Sequence, residues 1–205
     1  MNKIVLIGAG GHAQSCIDVI EQENKFEIVG LVDNKISINK KICNYKVICN
    51  DKNLKNIRKK YTYVHIAIGQ INNPNLRVNI YNKLIKENYK LPVIKSPSSY
   101  TSKYSKIGDG TIIMHGAIIN INSSIGKNCI INTSAIIEHN TKIGSHCHIS
   151  TKAIINGNVD IGEKTFIGSG AIIFNNIKIG KNCIIGAGSV VKKNLSDNIL
   201  FKNEK

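Results

Sequence analysis

In residues 107–125, IGDGTIIMHGAIININSSI, an aliphatic side chain stands at Ile107, Ile113, Ile119 and Ile125, and the interval of six continues without a miss to Val191. Neither the helical period of 3.6 nor the strand period of two gives this spacing. Four residues after each aliphatic position stands a mostly small one, among them Thr111, Ala117, Ser123, Cys129 and Ala135, so the chain turns a corner every six residues. A glycine follows every third aliphatic residue, at Gly108, Gly126, Gly144, Gly162 and Gly180, which makes the larger unit 18 residues. Three faces of six residues make one turn of a triangular solenoid, a parallel β-helix whose turns bury a continuous core only by stacking. About five turns are expected, ~4.8 Å apart. Residues 18 apart become vertical neighbours, and the column Asn122, Asn140, Asn158 and Asn176 is expected to form a ladder of side-chain amides.

The repeat begins near residue 100 of 205, so two domains of similar size are expected. The formal charge of +15 invites a nucleic-acid reading, but Arg58 and Arg77 are the only arginines and the lysines are scattered. Base readout and phosphate clamping favour clustered arginine, so nucleic-acid binding is set aside. The six cysteines contain no C-x-x-C pair, and Cys129, Cys147 and Cys183 fall on the small corner position as apolar fillers. The first apolar run stops at Gly8, too soon for a signal segment, and no stretch is long enough to cross a membrane. A cytoplasmic protein is the expectation.

In the first half, residues 3–7 read as a buried strand, Gly8-Ala9-Gly10-Gly11-His12-Ala13 as a loop entering a helix to about Glu23, and 27–32 as a second strand ending at Asp33. A third strand is expected over 63–68, ending at Gly69, and a helix over 74–88 with apolar residues at 76, 80, 84 and 85. Alternating strands and helices imply a small Rossmann-like parallel sheet over residues 1–92, with 91–106 as the lead-in to a solenoid over 93–205. Gly8-x-Gly10-x-x-Ala13 with Asp33 twenty residues on satisfies the dinucleotide fingerprint, which keeps a nicotinamide oxidoreductase open as a rival. Fewer than about 100 residues and four strands are short for a dinucleotide, and suit one nucleoside diphosphate at a helix N-terminus. The bland alternative is that the glycines only make a tight turn.

Gly8-Ala9-Gly10-Gly11-His12, Leu31-Val32-Asp33-Asn34, Ala67-Ile68-Gly69 and Asn132-Thr133-Ser134-Ala135-Ile136-Ile137-Glu138-His139 together closely resemble the PglD/NeuD-type sugar acyltransferases, over nearly the whole chain. That resemblance implies a left-handed β-helix, acetyl coenzyme A as co-substrate without a metal, a nucleotide-linked amino sugar as acceptor, and a homotrimer with active sites between subunits. It implies His139 as general base; in this chain Asn140 or Glu138 is expected to orient the ring. Stacking of residues 18 apart puts Gly157 directly above His139, so its backbone N–H, or one near it, is the expected oxyanion donor. Histidine titrates near neutrality, which suits such a base. The resemblance further assigns Gly10, Gly11, His12, Asp33, Asn34, Gly69 and Asn132 to the sugar nucleotide, and His148, Ser169 and Ala187 to coenzyme A.

Two departures from the family pattern stand out. Asn140 follows the histidine where relatives usually have Asp or Glu, and the last coil runs Val190-Val191-Lys192-Lys193 in place of a Gly-x-Pro-Ala-like turn. His146 and His148 form an H-x-H pair with no third metal ligand in sight. The expected activity is acetylation of the 4-amino group of a UDP- or dTDP-linked 4-amino-4,6-dideoxy sugar by direct attack. O-acetylation of sialic acid or a related sugar and a non-catalytic sugar-nucleotide-binding scaffold are the alternatives.

Overall fold

The computed structural model describes residues 1–202. In the first domain, β1 (Asn2–Ile7), α1 (Gly11–Glu23), β2 (Phe26–Val32), β3 (Lys41–Ile42), β4 (Tyr45–Cys49), α2 (Leu54–Arg58), β5 (Tyr63–Ile66) and α3 (Asn75–Lys86) follow in order. The sheet order is β3-β4-β2-β1-β5, parallel except for the β3–β4 pair. The β3–β4 hairpin lies outside the strands expected from the sequence. In α3 the buried face is Arg77, Ile80, Tyr81 and Leu84, while Leu76 and Ile85 are exposed. The expected apolar stripe at 76, 80, 84 and 85 is therefore rotated, and a cation stands on the buried face.

From Ile94 to Phe201 the chain winds as a left-handed parallel β-helix of two-residue strands in three sheets of seven, six and five strands. The strand Ile94–Lys95 already pairs with Ile112–Ile113, so the 91–106 segment read as a lead-in contributes a coil of its own. The solenoid is accordingly longer than five turns. Every sixth aliphatic residue from Ile113 to Val191 points inward into one core with Ala117, Cys129, Ala135, Cys147, Ala153 and Cys183.

The asparagine column has a different cause from the one expected. Asn122, Asn140, Asn158 and Asn176 have φ of 59°, 59°, 60° and 61°, the left-handed conformation that each corner requires and asparagine tolerates. Only the Asn158 amide reaches its neighbour in that column, donating to Asn176 Oδ1 at 2.8 Å. The corner glycines have a tighter constraint, since a Cβ on Gly126 would lie 2.5 Å from Ser145 N in the next coil. Gly126→Ala is expected to cost about 1–3 kcal/mol by forcing coils apart, read as a lowered urea midpoint; an unchanged midpoint would mean that the coils slide freely.

One outer face of the solenoid carries the first domain. Ile94, Ile112, Met114 and Ile130 share a buried cluster with Ala13, Cys16, Ile17 and Ile20 of α1. His115 reinforces this seat: its Nε2 pairs with Asp18 of α1 at 2.8 Å and its Nδ1 with Ser96 Oγ at 2.7 Å.

Candidate active site

A cavity of about 350 Å3 opens at the carboxyl ends of β1, β2 and β5, lined by Gly8–His12, Val32–Lys35, Asp51, Ala67–Gly69, Leu76 and Ile80. Gly8 has φ +110°, and a Cβ there would meet Ile68 Cγ1 at 2.6 Å, so this glycine makes the turn. Gly10 and Gly11 differ, because a Cβ on either meets nothing within 4 Å. Their lack of side chains leaves open space at the start of α1, where no side chain caps the helix and no acid stands in the first turn. Free N–H groups at a helix N-terminus attract anions such as a diphosphate.

Asp33 supports this loop. Its carboxylate accepts from Ala9 N at 2.9 Å, Lys35 N at 2.7 Å and Ile36 N at 3.0 Å. Asn34 exchanges two hydrogen bonds with Asp51, a cavity residue that the sequence reading did not single out. Gly69 stands next to His12, with a Cβ there 3.6 Å from the histidine Cβ.

Behind the cavity lies a buried polar layer that sequence reasoning missed. Arg77 is 1% exposed; its Nη1 donates to Ile66 O and Ile68 O, and its Nη2 to Asn128 Oδ1 of the solenoid at 2.7 Å. The available signal was an arginine inside an otherwise apolar helix stripe. Asn128 also bonds His146 Nδ1 at 3.0 Å, and the Gln70 amide donates to His146 O at 2.9 Å. His148 bonds Gln70 O through Nδ1 and Asn132 Nδ2 through Nε2 at 3.1 Å. Both histidines of the H-x-H pair are thus occupied in joining the domains. Among the described residues there is no group of three or more His, Cys, Asp or Glu side chains that would hold a metal ion.

Burial first, then the Arg77 charge, pushes His12 down to about 3 and holds His65 well below its usual range, and burial pushes His148 down to about 4. These rings resist protons that the unfolded chain accepts, so stability is full above about pH 6.5 and is lost as pH falls from there toward the folded values. The thermal midpoint should therefore decline between pH 7 and pH 5. His65 is fully buried and neither ring nitrogen has a partner among the described residues. His65→Leu is expected to raise stability by about 1 kcal/mol at pH 7 and to flatten the acid decline; a lower midpoint in the variant would show a hidden role for the ring.

His139 stands elsewhere, exposed at a solenoid corner beside an open trough lined by Glu138, Asn156, Gly157, Asn158, Phe174, Asn175 and Asn176. Gly157 lies directly against the imidazole: a Cβ there would be 2.7 Å from His139 Cε1 and 2.8 Å from Nε2. The Gly157 N–H has no acceptor among the described residues. Asn140 Nδ2 is 3.2 Å from His139 Nδ1. Glu138 turns away, accepting from Asn120 Nδ2 at 3.0 Å.

The structure separates the expected site residues into two groups. Asn132, Ser169 and Ala187 lie at the corner after the sheet that contains His148, whereas His139, Asn140 and Gly157 lie at the following corner, with the strand Ile136–Ile137 between. Seven residues, a turn at Thr133–Ser134 among them, separate Asn132 from His139, a chain path of at most ~23 Å.

The N-terminal residues 3–84 match the family described as PglD N-terminal domain, and residues 158–193 match the bacterial transferase hexapeptide (six repeats). PerB from Caulobacter crescentus, solved with CoA and GDP-perosamine, is 30% identical, with 96% of this chain and 92% of that chain covered and a TM-score of 0.89. The chain belongs to the PglD-type sugar acetyltransferases. As a member of that family it is an acyltransferase. A variant of GDP-perosamine N-acetyltransferase from the same organism, with the same two ligands, is 29% identical over 97% of this chain and 92% of that chain, with a TM-score of 0.91. The acetyltransferase domain of PglB from Neisseria gonorrhoeae, in complex with acetyl coenzyme A, is 28% identical over 97% and 95%, with a TM-score of 0.90. No curated protein matches the chain. No helix among the described residues is long and apolar enough to cross a membrane.

Proposed function

We propose that the chain transfers acetyl from acetyl coenzyme A to the amine of a nucleotide-linked amino sugar, with His139 as general base. The observation that carries this reading is the pairing of an exposed imidazole with a glycine whose N–H is free and whose missing Cβ makes room for the ring. The His139 Nε2 lone pair takes a proton from the amine as its nitrogen attacks the thioester carbonyl. The thiolate leaves, and the Gly157 N–H supports the oxyanion that forms between.

Asn140 sets the tautomer this requires. A half-turn of its amide keeps the 3.2 Å contact and presents Oδ1 to His139 Nδ1, so that Nδ1 carries the proton and Nε2 is left basic. The nucleotide occupies the α/β cavity, its diphosphate on the N-terminal amides of α1 beside Gly10 and Gly11, with His12 at the base. Asp33 shapes the loop more than it contacts the sugar, since three backbone N–H groups already use it.

Because Asn132 and His139 lie at different corners, the site closes between chains, His139 of one subunit facing the Asn132 corner of the next in a homotrimer. Coenzyme A then runs along the Ser169 and Ala187 column, while Gly157 is supplied from the opposite side. PerB, solved with GDP-perosamine, is similar over nearly all of this chain, so the acceptor nucleotide is to be sought among GDP as well as UDP and dTDP.

The test is thiol release from acetyl coenzyme A with UDP-, dTDP- and GDP-linked 4-amino sugars, and with sialic acid. Turnover with one sugar nucleotide and an amide product supports the reading and names the nucleotide. Turnover with sialic acid alone assigns O-acetylation, and none at all leaves the scaffold reading standing.

A further inference from the structure

The corner that carries His139 belongs to a stack in which Lys103, Ile121, His139, Gly157 and Asn175 stand 18 residues apart. Backbone bonds fix that order: Asn140 N donates to Ile121 O at 3.1 Å and Asn158 N to His139 O at 3.0 Å. Successive corners are therefore one strand spacing apart, ~4.8 Å. On one side of the imidazole stands Gly157, with no side chain. On the other stands Ile121, which is 46% exposed, whereas Ile119 and Ile125 on either side of it in sequence are buried in the solenoid core. The polar side chains next to it are engaged with each other, Asn120 Nδ2 donating to Glu138 Oε2 at 3.0 Å. Ile121 also borders an open trough with Thr101, Ser102, Lys103 and Tyr104, on the coils that precede the His139 trough. The α/β domain sits toward that same end, on Ile94, Ile112 and Ile130.

We propose that Ile121 is a specificity-determining residue: it forms an apolar wall of the acceptor subsite, takes the C6 methyl of a 6-deoxy 4-amino sugar and discriminates against a C6 hydroxyl. This rests on the acetyl-transfer reading above and deepens it by assigning the choice of sugar to one side chain. A sugar carried by an α/β domain reaches His139 from the Ile121 side, which leaves the Gly157 side to the thioester. With the C4 amine at His139 Nε2, the ring carbons on either side of C4 carry the groups that meet the neighbouring coil. C3 carries a hydroxyl and C5 carries C6. A hydroxyl pressed against Ile121 gives up water without gaining a partner. A methyl there removes apolar surface of both groups from water. The C3 hydroxyl is thereby directed away from Ile121, so the same contact fixes which way round the sugar ring lies as the amine attacks.

The test measures kcat/KM with UDP-, dTDP- and GDP-linked 4-amino-4,6-dideoxyhexoses and with their 6-hydroxyl counterparts, for the native chain, Ile121→Ala and Ile121→Thr. The native chain is expected to favour the 6-deoxy sugar about tenfold to a hundredfold, the range that an apolar pocket achieves against an added hydroxyl. Ile121→Ala is expected to lower kcat/KM for the 6-deoxy sugar about tenfold and to bring the preference within about threefold. Ile121→Thr keeps the β-branch and offers a hydroxyl, so the preference shifts toward the 6-hydroxyl sugar. Thermal midpoints should stay unchanged, since Ile121 lies outside the solenoid core. Equal kcat/KM for the two sugars in the native chain, or a preference that Ile121→Ala leaves intact, overturns the proposal while acetyl transfer stands. Methyl NMR of the native chain with the same sugar nucleotides gives a second readout that needs no turnover. A nuclear Overhauser contact between the Ile121 δ1 methyl and the sugar C6 methyl, lost in Ile121→Ala, supports the wall; a bound sugar without that contact overturns it. The contact without acetylation would retain the wall and remove the function reading, and no binding of any of these sugars would overturn both.

Discussion

His139→Ala should lower kcat for acetyl transfer by about 10²–10⁴-fold, the usual contribution of a positioned general base, while leaving nucleotide affinity and thermal stability unchanged. The expectation follows from the placement of the ring. His139 is exposed at a corner, lies outside the solenoid core, and has Asn140 as its one side-chain partner among the described residues. The nucleotide cavity is built wholly from the first domain, so losing the imidazole leaves it intact. Isothermal titration with UDP, dTDP and GDP alongside thiol-release kinetics separates the two effects. A variant that loses nucleotide binding together with turnover would show that the ring serves the fold or the cavity.

Gly157→Ala is expected to lose at least about 10² in kcat with His139 still present. The added methyl would sit 2.7 Å from Cε1 and 2.8 Å from Nε2, well inside contact distance, and the exposed ring is the part free to move. Swinging it aside breaks the Nδ1 contact with Asn140 and turns Nε2 from the trough. The backbone of Gly157 is outside the left-handed region, so alanine strains nothing there, and fewer unfolded conformations make the variant at least as stable as the native chain. Because the methyl and the histidine act through one another, the double variant should be no slower than His139→Ala alone. A full additive loss would assign Gly157 a role separate from the ring.

The solenoid was legible because its constraint is local and repeated. One aliphatic residue per face and one small or left-handed residue per corner leave a period that nothing else produces. The same repetition misled in one place, since the asparagine column reads as an amide ladder but follows from backbone φ at the corners. The glycine loop of α1 was equally plain, and its residues line one cavity. What stayed hidden depends on packing between the two domains. Arg77 reads as one more surface cation until α3 docks, Gln70 and Asn128 have no motif around them, and the H-x-H spacing of His146 points to metal binding and not to a contact between domains. The β3–β4 hairpin is short: β3 has two residues, and the alternation of β4, with Val47 and Cys49 buried, spans only five. The role of Asp33 was partly visible: its place twenty residues after the loop marked it, but only the three N–H contacts show that it supports the loop.

The claim on which the mechanism turns is that a site takes its base from one chain and its sugar nucleotide from another. Subunit mixing tests it directly. One parent is His139→Ala. The other is Gly10→Trp, a position where a side chain meets nothing within 4 Å and an indole would fill the cavity without disturbing the loop. Each parent alone should be inactive. Chains co-refolded in equal amounts should recover roughly a quarter of native turnover, the share of interfaces in a random symmetric trimer that pair an intact His139 with an intact cavity. Mixtures that stay as inactive as their parents would place His139 and the nucleotide cavity in the same chain's site, contradicting the intersubunit mechanism.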